Sequence, residues 1–181
     1  MIYVFFADGF EEIEALTPVD VLRRAGLDVL TVGVTGKTVT GSHGIPVVCD
    51  AQIDDVNPVD IEAVVLPGGL PGTTNLEKCD RVQEFIDCAN SEGKIVAAIC
   101  AAPSVLGHKG LLEGKRATCY TGFEKDLVGA VCTGEPAVRD GNIITGRGAG
   151  AAFEFAFTLL DALTGSSTQS EKLRAGMLCV K

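Results

Sequence analysis

The sequence predicts an α/β protein with a mostly parallel β-sheet that is covered by helices on both faces. Apolar runs of strand length alternate with helix-length segments along the chain, and several runs are apolar throughout, as in strands buried on both faces. Strands joined by helices form parallel sheets through right-handed crossovers, and such sheets bind ligands at the carboxyl ends of their strands. With 181 residues and no linker-like segment, we expect residues 1–181 to form a single domain.

The first strand and the first helix are predicted by a change of pattern after residue 7. Residues 2–7 are a continuous apolar run, which is typical of a buried strand. Helical spacing follows, and Gly26 stands where a helix C-cap glycine is favoured. We expect the apolar stripe of this helix to face the core. It consists of Ile13, Leu16, Val19 and Leu22.

The next strands lead to a loop that is rich in glycine and proline. Residues 27–34 and 45–49 have the composition of strands, and a turn with two glycines precedes the second of them. Residues 61–66 repeat the buried-strand pattern. The sequence Pro-Gly-Gly-Leu-Pro-Gly at 67–72 ends this strand, and its backbone amides can approach a ligand closely.

A cysteine follows the central strand of the pattern. A helix is predicted over 80–91 and a strand over 94–99, followed by Cys100 and then by a short helix. Pro103 is compatible with the first turn of that helix. Cys100 is therefore expected in a tight turn between a strand and a helix.

The last part of the chain continues the alternation. Strands are predicted over 116–120 and 142–145, the second opened by an Asp-Gly turn. Helices are predicted over 151–163, which is strongly apolar, and over 169–178.

Composition argues against several classes of function. Fifteen Lys and Arg stand against 24 Asp and Glu, and a net charge of -9 disfavours nucleic acid as a partner. We expect a cytoplasmic protein without membrane contact, because no signal-peptide pattern or membrane-length apolar run is present. Seven scattered cysteines and two histidines show no zinc-binding spacing, which predicts reduced thiols and no metal site.

Cys100 is the candidate nucleophile. A thiol between a strand and a helix points to the ligand edge of the sheet, and the helix N-terminus favours its thiolate form. The alternative is simple packing, since cysteine is among the residues most often buried.

Glu14 is the candidate acid. It lies beside the turn after the first strand, at the same edge of the sheet, so it can meet Cys100. If buried, its carboxyl would have a raised pKa and could donate to a thiolate and move protons near pH 7. The alternative is an acidic first helical turn, formed with Glu11 and Glu12, that complements the helix dipole.

Backbone amides and a second glycine-rich loop complete the set of candidates. The N–H groups of Gly68, Gly69 and Ala101 can form an oxyanion hole beside Cys100, although 68–69 can also be a plain tight turn. The loop of residues 146–150 lacks the Lys and Ser/Thr of a phosphate loop and is interpreted as structural. Within it, Arg147 is a candidate anion contact.

Four segments together resemble the ThiJ/PfpI superfamily, in the branch of the Parkinson-associated protein deglycase and its bacterial relatives. They are GFEEIEALTPVDVLRRAG at 9–26, VVLPGG at 64–69, AAICAAPSVL at 97–106 and TGRGAGAAFEFA at 145–156. The resemblance implies a flavodoxin-like three-layer sandwich and a homodimer. It also implies a nucleophile elbow at Cys100, a protonated Glu14 bonded to the thiolate, and backbone donors at Gly69 and Ala101. Cys49 matches a position that relatives place at the dimer interface.

The sequence departs from the superfamily pattern at three positions. Tyr120 stands where some relatives carry a histidine, so no Cys-His dyad is carried over. Ala101 stands where the protease-like branch has histidine, and peptide-bond hydrolysis is not expected. His43 stands in a turn where some relatives carry arginine near the partner's active site, and like Tyr120 and Arg147 it is a pocket candidate.

The resemblance implies a cofactor-independent enzyme that acts on small aldehydes or dicarbonyls such as methylglyoxal and glyoxal, or on their early adducts with amines and thiols. Cys100 would add to the aldehyde and Glu14 would move protons. The alternative is an oxidative-stress sensor or chaperone that works through oxidation of Cys100. A role in thiazole biosynthesis, which the superfamily name suggests, has no support from the residues.

Overall fold

The computed structural model describes residues 1–179 and contains a central sheet, two small strand pairs and six α-helices. The strands are β1 (Ile2–Phe6), β2 (Val29–Gly33), β3 (Thr38–Thr40), β4 (Pro46–Val48), β5 (Ala51–Gln52), β6 (Ala63–Leu66), β7 (Ile95–Ile99), β8 (Arg116–Ala117), β9 (Val131–Cys132), β10 (Ala137–Asp140) and β11 (Ile143–Gly146). The helices are α1 (Glu12–Arg24), α2 (Gly72–Lys78), α3 (Asp80–Ser91), α4 (Pro103–His108), α5 (Ala152–Thr164) and α6 (Thr168–Gly176).

Seven strands form the central sheet in the order β10-β11-β7-β6-β1-β2-β5. All neighbours are parallel except β10 and β11, which pair antiparallel. The carboxyl ends of β1, β6 and β7 therefore lie at one edge of the sheet, side by side. This arrangement brings together the turns that follow residues 6, 66 and 99.

Alternate residues of each strand pack into two apolar clusters on opposite faces of the sheet. Tyr3 and Phe5 of β1 point to the face that Phe85 of α3 covers. Ile2, Val4 and Phe6 point to the other face, which α1 and α5 cover. Burial on both faces explains why these strands are apolar throughout. The predicted α/β three-layer sandwich, with a mostly parallel sheet and helices on both faces, is confirmed.

The prediction for the buried face of α1 is partly wrong. Ile13 is 53% exposed and Leu16 is 38% exposed, whereas Val19 and Leu22 are buried as expected. The inward face includes Ala15 and the Glu14 carboxyl. Hydrophobicity alone therefore misassigned the first turn, because a buried polar contact there takes the place of apolar packing.

Several small elements also differ from the prediction. The strand expected at 45–49 is β4, but it pairs with β3 in a separate hairpin rather than joining the central sheet. The strand expected at 116–120 is shortened to β8 and pairs only with β9. Short strands such as β3, β9 and β10 lack enough residues to display a period. Within residues 1–179, no helix has the length and apolarity required to cross a membrane.

Candidate active site

Cys100 directly follows β7, at the ligand edge of the sheet, in a backbone conformation that is unusual for a residue with a side chain. Its φ is 65°, in the left-handed region that normally favours glycine. Two hydrogen bonds hold this conformation. The Cys100 N–H donates to the Gly146 carbonyl at 2.9 Å, and its carbonyl accepts from the Tyr120 N–H at 2.8 Å. The surrounding chain thus fixes the direction in which the thiol points.

Glu14 lies in the first turn of α1 and is only 1% exposed. The side chain of Glu11 accepts a hydrogen bond from the Glu14 N–H at 2.8 Å and caps the helix. The Gly68 N–H donates to Glu14 Oε2 at 3.1 Å, and the carboxyl group also shares a hydrogen bond with the Cys100 thiol. Thus α1 and the loop after β6 hold a buried carboxyl against the thiol.

The two groups titrate as a coupled pair. Burial, with a smaller effect of the nearby Glu11 charge, raises the pKa of Glu14 to about 7. Burial, the charge of an ionised Glu14 and its hydrogen bond raise the pKa of the Cys100 thiol to about 12. Desolvation and the charge of an ionised Glu14 thus oppose the stabilisation of the thiolate that the helix N-terminus is expected to provide. Protonation of Glu14 removes that charge and turns the carboxyl into a donor to sulfur.

Backbone amides oppose these effects at the sulfur. The N–H groups of Ala101 and Gly69 form hydrogen bonds with Cys100 that lower its thiol pKa. The Gly68 N–H was predicted to form part of an oxyanion hole beside Cys100. In the structure it donates to the Glu14 carboxyl instead. A Cβ at Gly68 would lie 2.5 Å from Glu14 Oε2 and 2.6 Å from Cys100 Cβ. Only glycine at 68 allows the Glu14 carboxyl and the Cys100 side chain to approach each other this closely.

Tyr120 and Arg147 both line a cavity of about 500 Å³. Gly148, which also lines this cavity, lies close to the Glu14 carboxyl. A Cβ placed on it would lie 3.3 Å from the Tyr120 ring and 3.9 Å from Glu14 Oε1. The Tyr120 side chain is exposed at the rim. The structure therefore brings Glu14, Cys100, Tyr120 and Arg147 into one region of the sheet edge.

His43 lies elsewhere, against the first turn of α1. The ring Nδ1 of His43 lies 2.8 Å from Glu12 Oε2, and the backbone N–H of His43 donates to Glu12 Oε1 at 2.8 Å. The hydrogen bond to Glu12 and the charge of that carboxylate raise the pKa of His43. Burial alone would raise the pKa of Glu12, but hydrogen bonds from His43 and from backbone amides lower it. His43 therefore pairs with a neighbouring carboxylate and not with Cys100.

Three groups that can bind a metal ion meet at this point. The ligand atoms of Glu11, Glu12 and His43 lie within 4.8 Å of one another. The absence of a local zinc motif could not exclude this cluster, because His43 is about thirty residues away from the two acids along the chain. In the structure, Glu11 caps α1 and Glu12 binds His43.

Cys49 is buried in the apolar cluster that α1 and α5 cover. Burial and the charge of Asp50 raise the pKa of its thiol to about 11. Its neighbour Val48 is exposed, so an interface at this hairpin would be formed by Val48 rather than by the thiol. A place for Cys49 at a dimer interface remains a prediction.

Two contributions to the site were not predicted. The Ala149 N–H forms a hydrogen bond with the Glu14 carboxyl, and the Gly146 carbonyl accepts from the Cys100 N–H. Both belong to the loop of residues 146–150, which was interpreted as structural. The antiparallel hairpin of β10 and β11 returns this loop to the end of β7. The glycine-rich sequence before α5 was the only available signal.

Comparison with known proteins agrees with the geometry. The sequence model of the DJ-1/PfpI family matches residues 1–162. The chain is 39% identical over 168 residues to protein DJ-1 homolog B of Arabidopsis thaliana, covering 91% of this chain and 38% of that protein. It thus spans about two fifths of the Arabidopsis relatives, since it covers 43% of homolog A.

Shorter relatives match over most of their length. The chain is 36% identical to a deglycase of Pyrococcus abyssi, covering 81% of this chain and 89% of that protein. It is 34% identical to a glutathione-independent glyoxalase of Caenorhabditis elegans, covering 91% and 88%.

Solved structures share the fold over the same range. A DJ-1 superfamily protein of Salmonella typhimurium matches with a TM-score of 0.92 and 36% identity, covering 98% of this chain and 97% of that one. Oxidized DJ-1 of Toxoplasma gondii matches with a TM-score of 0.93 and 32% identity, with the same coverage. On the family match, the relatives and the shared fold, this chain belongs to the DJ-1/PfpI family.

Proposed function

We propose that this chain is a cysteine-dependent, cofactor-independent enzyme that acts on reactive dicarbonyls or on their early adducts with amines and thiols. The observation that carries the proposal is the pairing of Cys100, held at a φ of 65°, with a buried Glu14 whose pKa is raised to about 7. Such a pair offers a nucleophile and a proton donor at one point near neutral pH. The similarity to a deglycase and to a glyoxalase supports the same reaction class.

The first step of the proposed reaction is addition of sulfur to a carbonyl. The Glu14 carboxylate takes the proton of the Cys100 thiol, the resulting thiolate forms a bond to the aldehyde carbon of methylglyoxal, and the electron pair of the C=O double bond moves to oxygen. Glu14 gives its proton to that oxygen, and a thiohemiacetal results. The N–H groups of Gly69 and Ala101, which point at the sulfur, stabilise the charge that develops beside it.

The remaining steps move hydrogen between two carbons. The Glu14 carboxylate removes the hydrogen of C1 as a proton and returns it to C2, while the proton of the C1 hydroxyl passes to the oxygen of C2, so that C1 becomes a thioester and C2 carries a hydroxyl group. Water then hydrolyses the thioester and releases lactate and the Cys100 thiol. Methylglyoxal and one water together have the atoms of lactic acid. Oxidation at C1 balances reduction at C2 within the same molecule.

Lactate production tests the proposal. The wild-type protein should form lactate from methylglyoxal without glutathione, and Cys100→Ala should abolish turnover. Cys132→Ala is the matched control, because Cys132 is an exposed thiol on β9, outside the site, and its loss should not change the rate. Turnover by Cys100→Ala equal to that of wild type would refute the nucleophile.

A second candidate function uses the same groups. Peroxide could oxidise Cys100 to a sulfinate, and the amides of Gly69 and Ala101 that lower the thiol pKa would hold its oxygens. The similarity to a solved structure of oxidized DJ-1 supports this second function. Stoichiometric addition of two oxygen atoms at Cys100 in intact-mass spectra, together with no turnover of methylglyoxal, would support a sensor and contradict the enzyme.

We also propose that residues 1–181 act as one domain and that the protein is a homodimer. Exposed apolar side chains of α1 and of the hairpin β3–β4 support a second copy as the partner, namely Ile13, Leu16, Ile45 and Val48. Val48→Asp should shift the sedimentation of the protein toward that of a monomer. Val131→Asp is the matched control, because Val48 and Val131 are similarly exposed, at 69% and 59%. Unchanged sedimentation of Val48→Asp would contradict an interface at this hairpin.

A further inference from the structure

The cavity beside Cys100 is larger than a three-carbon dicarbonyl requires. Its volume is about 500 Å³, and it is lined by Tyr120, Thr121, Pro136 and residues 147–151. Five non-hydrogen atoms, at the roughly 30 Å³ that one water occupies in the liquid, would fill only about a third of it. A substrate that fills the cavity would carry additional atoms that extend away from the reacting carbonyl.

The charge of the cavity comes from one residue. Among the described residues, Arg147 is the only one with a formal charge that lines it. Its side chain is exposed and, within residues 1–179, makes no hydrogen bond or salt bridge, although the chain carries 24 acidic residues. Five of the other six arginines pair with carboxylates, as Arg116 does with Glu135 and Arg174 with Glu154, and Arg139 donates to the Gly141 carbonyl. A guanidinium group without a carboxylate partner remains available to an anionic ligand.

The backbone holds Arg147 next to the reacting pair. The Arg147 N–H donates to the Pro136 carbonyl at 3.0 Å. Its two neighbours contact the site directly, because the Gly146 carbonyl accepts from the Cys100 N–H and Gly148 lies between Tyr120 and Glu14. The cavity wall and the Cys100–Glu14 pair therefore share the loop of residues 146–150, which places the cavity next to the pair.

We infer that the preferred substrates are anionic, with a dicarbonyl group at Cys100 and a carboxylate or phosphate group bound by Arg147. The inference rests on the proposed function for the substrate class and on the cavity for the charge. 4,5-Dioxopentanoate is a suitable probe, because it has the dicarbonyl group of methylglyoxal and a carboxylate two methylene groups away. Its hydration product is 2-hydroxyglutarate, formed with the same atom balance as lactate from methylglyoxal.

The first test does not depend on turnover. Iodoacetate and iodoacetamide alkylate the same thiolate and differ chiefly in charge, so the ratio of their rates at Cys100 reports the local potential. Arg147→Gln should lower the ratio of the iodoacetate rate to the iodoacetamide rate by about threefold or more, and Arg147→Lys should retain most of it. Lys172→Gln, which removes an exposed cation on α6, is the matched control and should leave the ratio unchanged. An equal ratio in wild type and Arg147→Gln would overturn the inference.

The second test compares substrates. Wild type should use 4,5-dioxopentanoate with at least about tenfold higher kcat/KM than its methyl ester, and Arg147→Gln should remove that preference. The phosphate ester of 3-hydroxy-2-oxopropanal, assayed in parallel, identifies which anion depends more on Arg147. Equal use of the acid and the ester by wild type would overturn the inference and leave the proposed function standing. If neither is turned over, the proposed function fails and the alkylation ratio alone decides the inference.

Discussion

Replacement of Glu14 by Gln tests the central feature of the site, a buried carboxyl that holds its proton near neutral pH. Gln keeps the size of the side chain and a hydrogen-bond donor toward Cys100, but it cannot ionise or transfer a proton. General acid-base groups contribute roughly a hundredfold or more to rates, so kcat/KM for methylglyoxal should fall by at least about tenfold. Asp at the same position would shorten the reach to the sulfur and should also lower activity.

The raised pKa of Glu14 also predicts a change in stability with pH. The folded protein keeps the Glu14 proton up to a pKa of about 7, whereas the unfolded chain loses it near 4.5. Since the pKa is raised by folding, its stabilising contribution is complete below the unfolded value and is lost as the pH rises to about 7. The difference between the two pKa values corresponds to roughly 3 kcal/mol of unfolding free energy. Wild type should lose this stability as the pH rises, and Glu14→Gln should not, because Gln does not titrate.

Urea unfolding of both proteins at about pH 4 and about pH 8 measures this effect, because the titration of groups that do not interact with Glu14 cancels in the difference. The stability of Glu14→Gln relative to wild type should increase by roughly 3 kcal/mol between the two conditions. Glu113→Gln, which removes an exposed carboxylate, is the matched control and should show no such increase. Parallel pH dependence in wild type and Glu14→Gln, or full turnover by the variant, would refute the assignment of Glu14.

Three further predictions concern the neighbouring groups. Iodoacetamide at about pH 6, where Glu14 is protonated and donates to sulfur, should label Cys100 before the exposed Cys132, and peptide mass spectrometry would expose the reverse order. Gly68→Ala should cost roughly 1–3 kcal/mol in urea unfolding and most of the activity, because its Cβ would meet Glu14 and Cys100, and a fully active, stable variant would contradict the tight approach. Tyr120→Phe should lower kcat/KM by a few-fold to about tenfold without changing Cys100 labelling, and Tyr120→His should bring no gain. A large rate increase in Tyr120→His would show that a second base limits the reaction.

The turn at Cys100 shows how far local sequence can lead. The apolar run before Cys100 predicts a buried strand, and the proline three residues later predicts a helix, so the turn between them follows from adjacent residues. The structure shows this turn between β7 and α4. The left-handed conformation of Cys100 was not predictable in the same way, because contacts with Gly146 and Tyr120, distant in sequence, impose it.

Glu14 shows the opposite case. Its neighbours Ile13 and Leu16 suggested the wrong buried face of α1, and both are exposed. Its place after the first strand allows Glu14 to meet Cys100, but the residues alone do not decide between this position and a solvated helix N-terminus, with which an acidic first turn is also consistent. The buried carboxyl is compensated by the amides of Gly68 and Ala149, which come from two other loops.

By itself, the sequence determined the alternation of strands and helices, the mostly parallel sheet and the place of Cys100 at a strand end, because each follows from periodicity and turn chemistry within a few residues. Only the tertiary structure decided the pKa of Glu14, the coupling of its charge to Cys100 and the isolation of Arg147 in a cavity. Desolvation and electrostatic coupling depend on distances between groups that the chain brings together from remote segments, and these distances exist only after the sheet has formed.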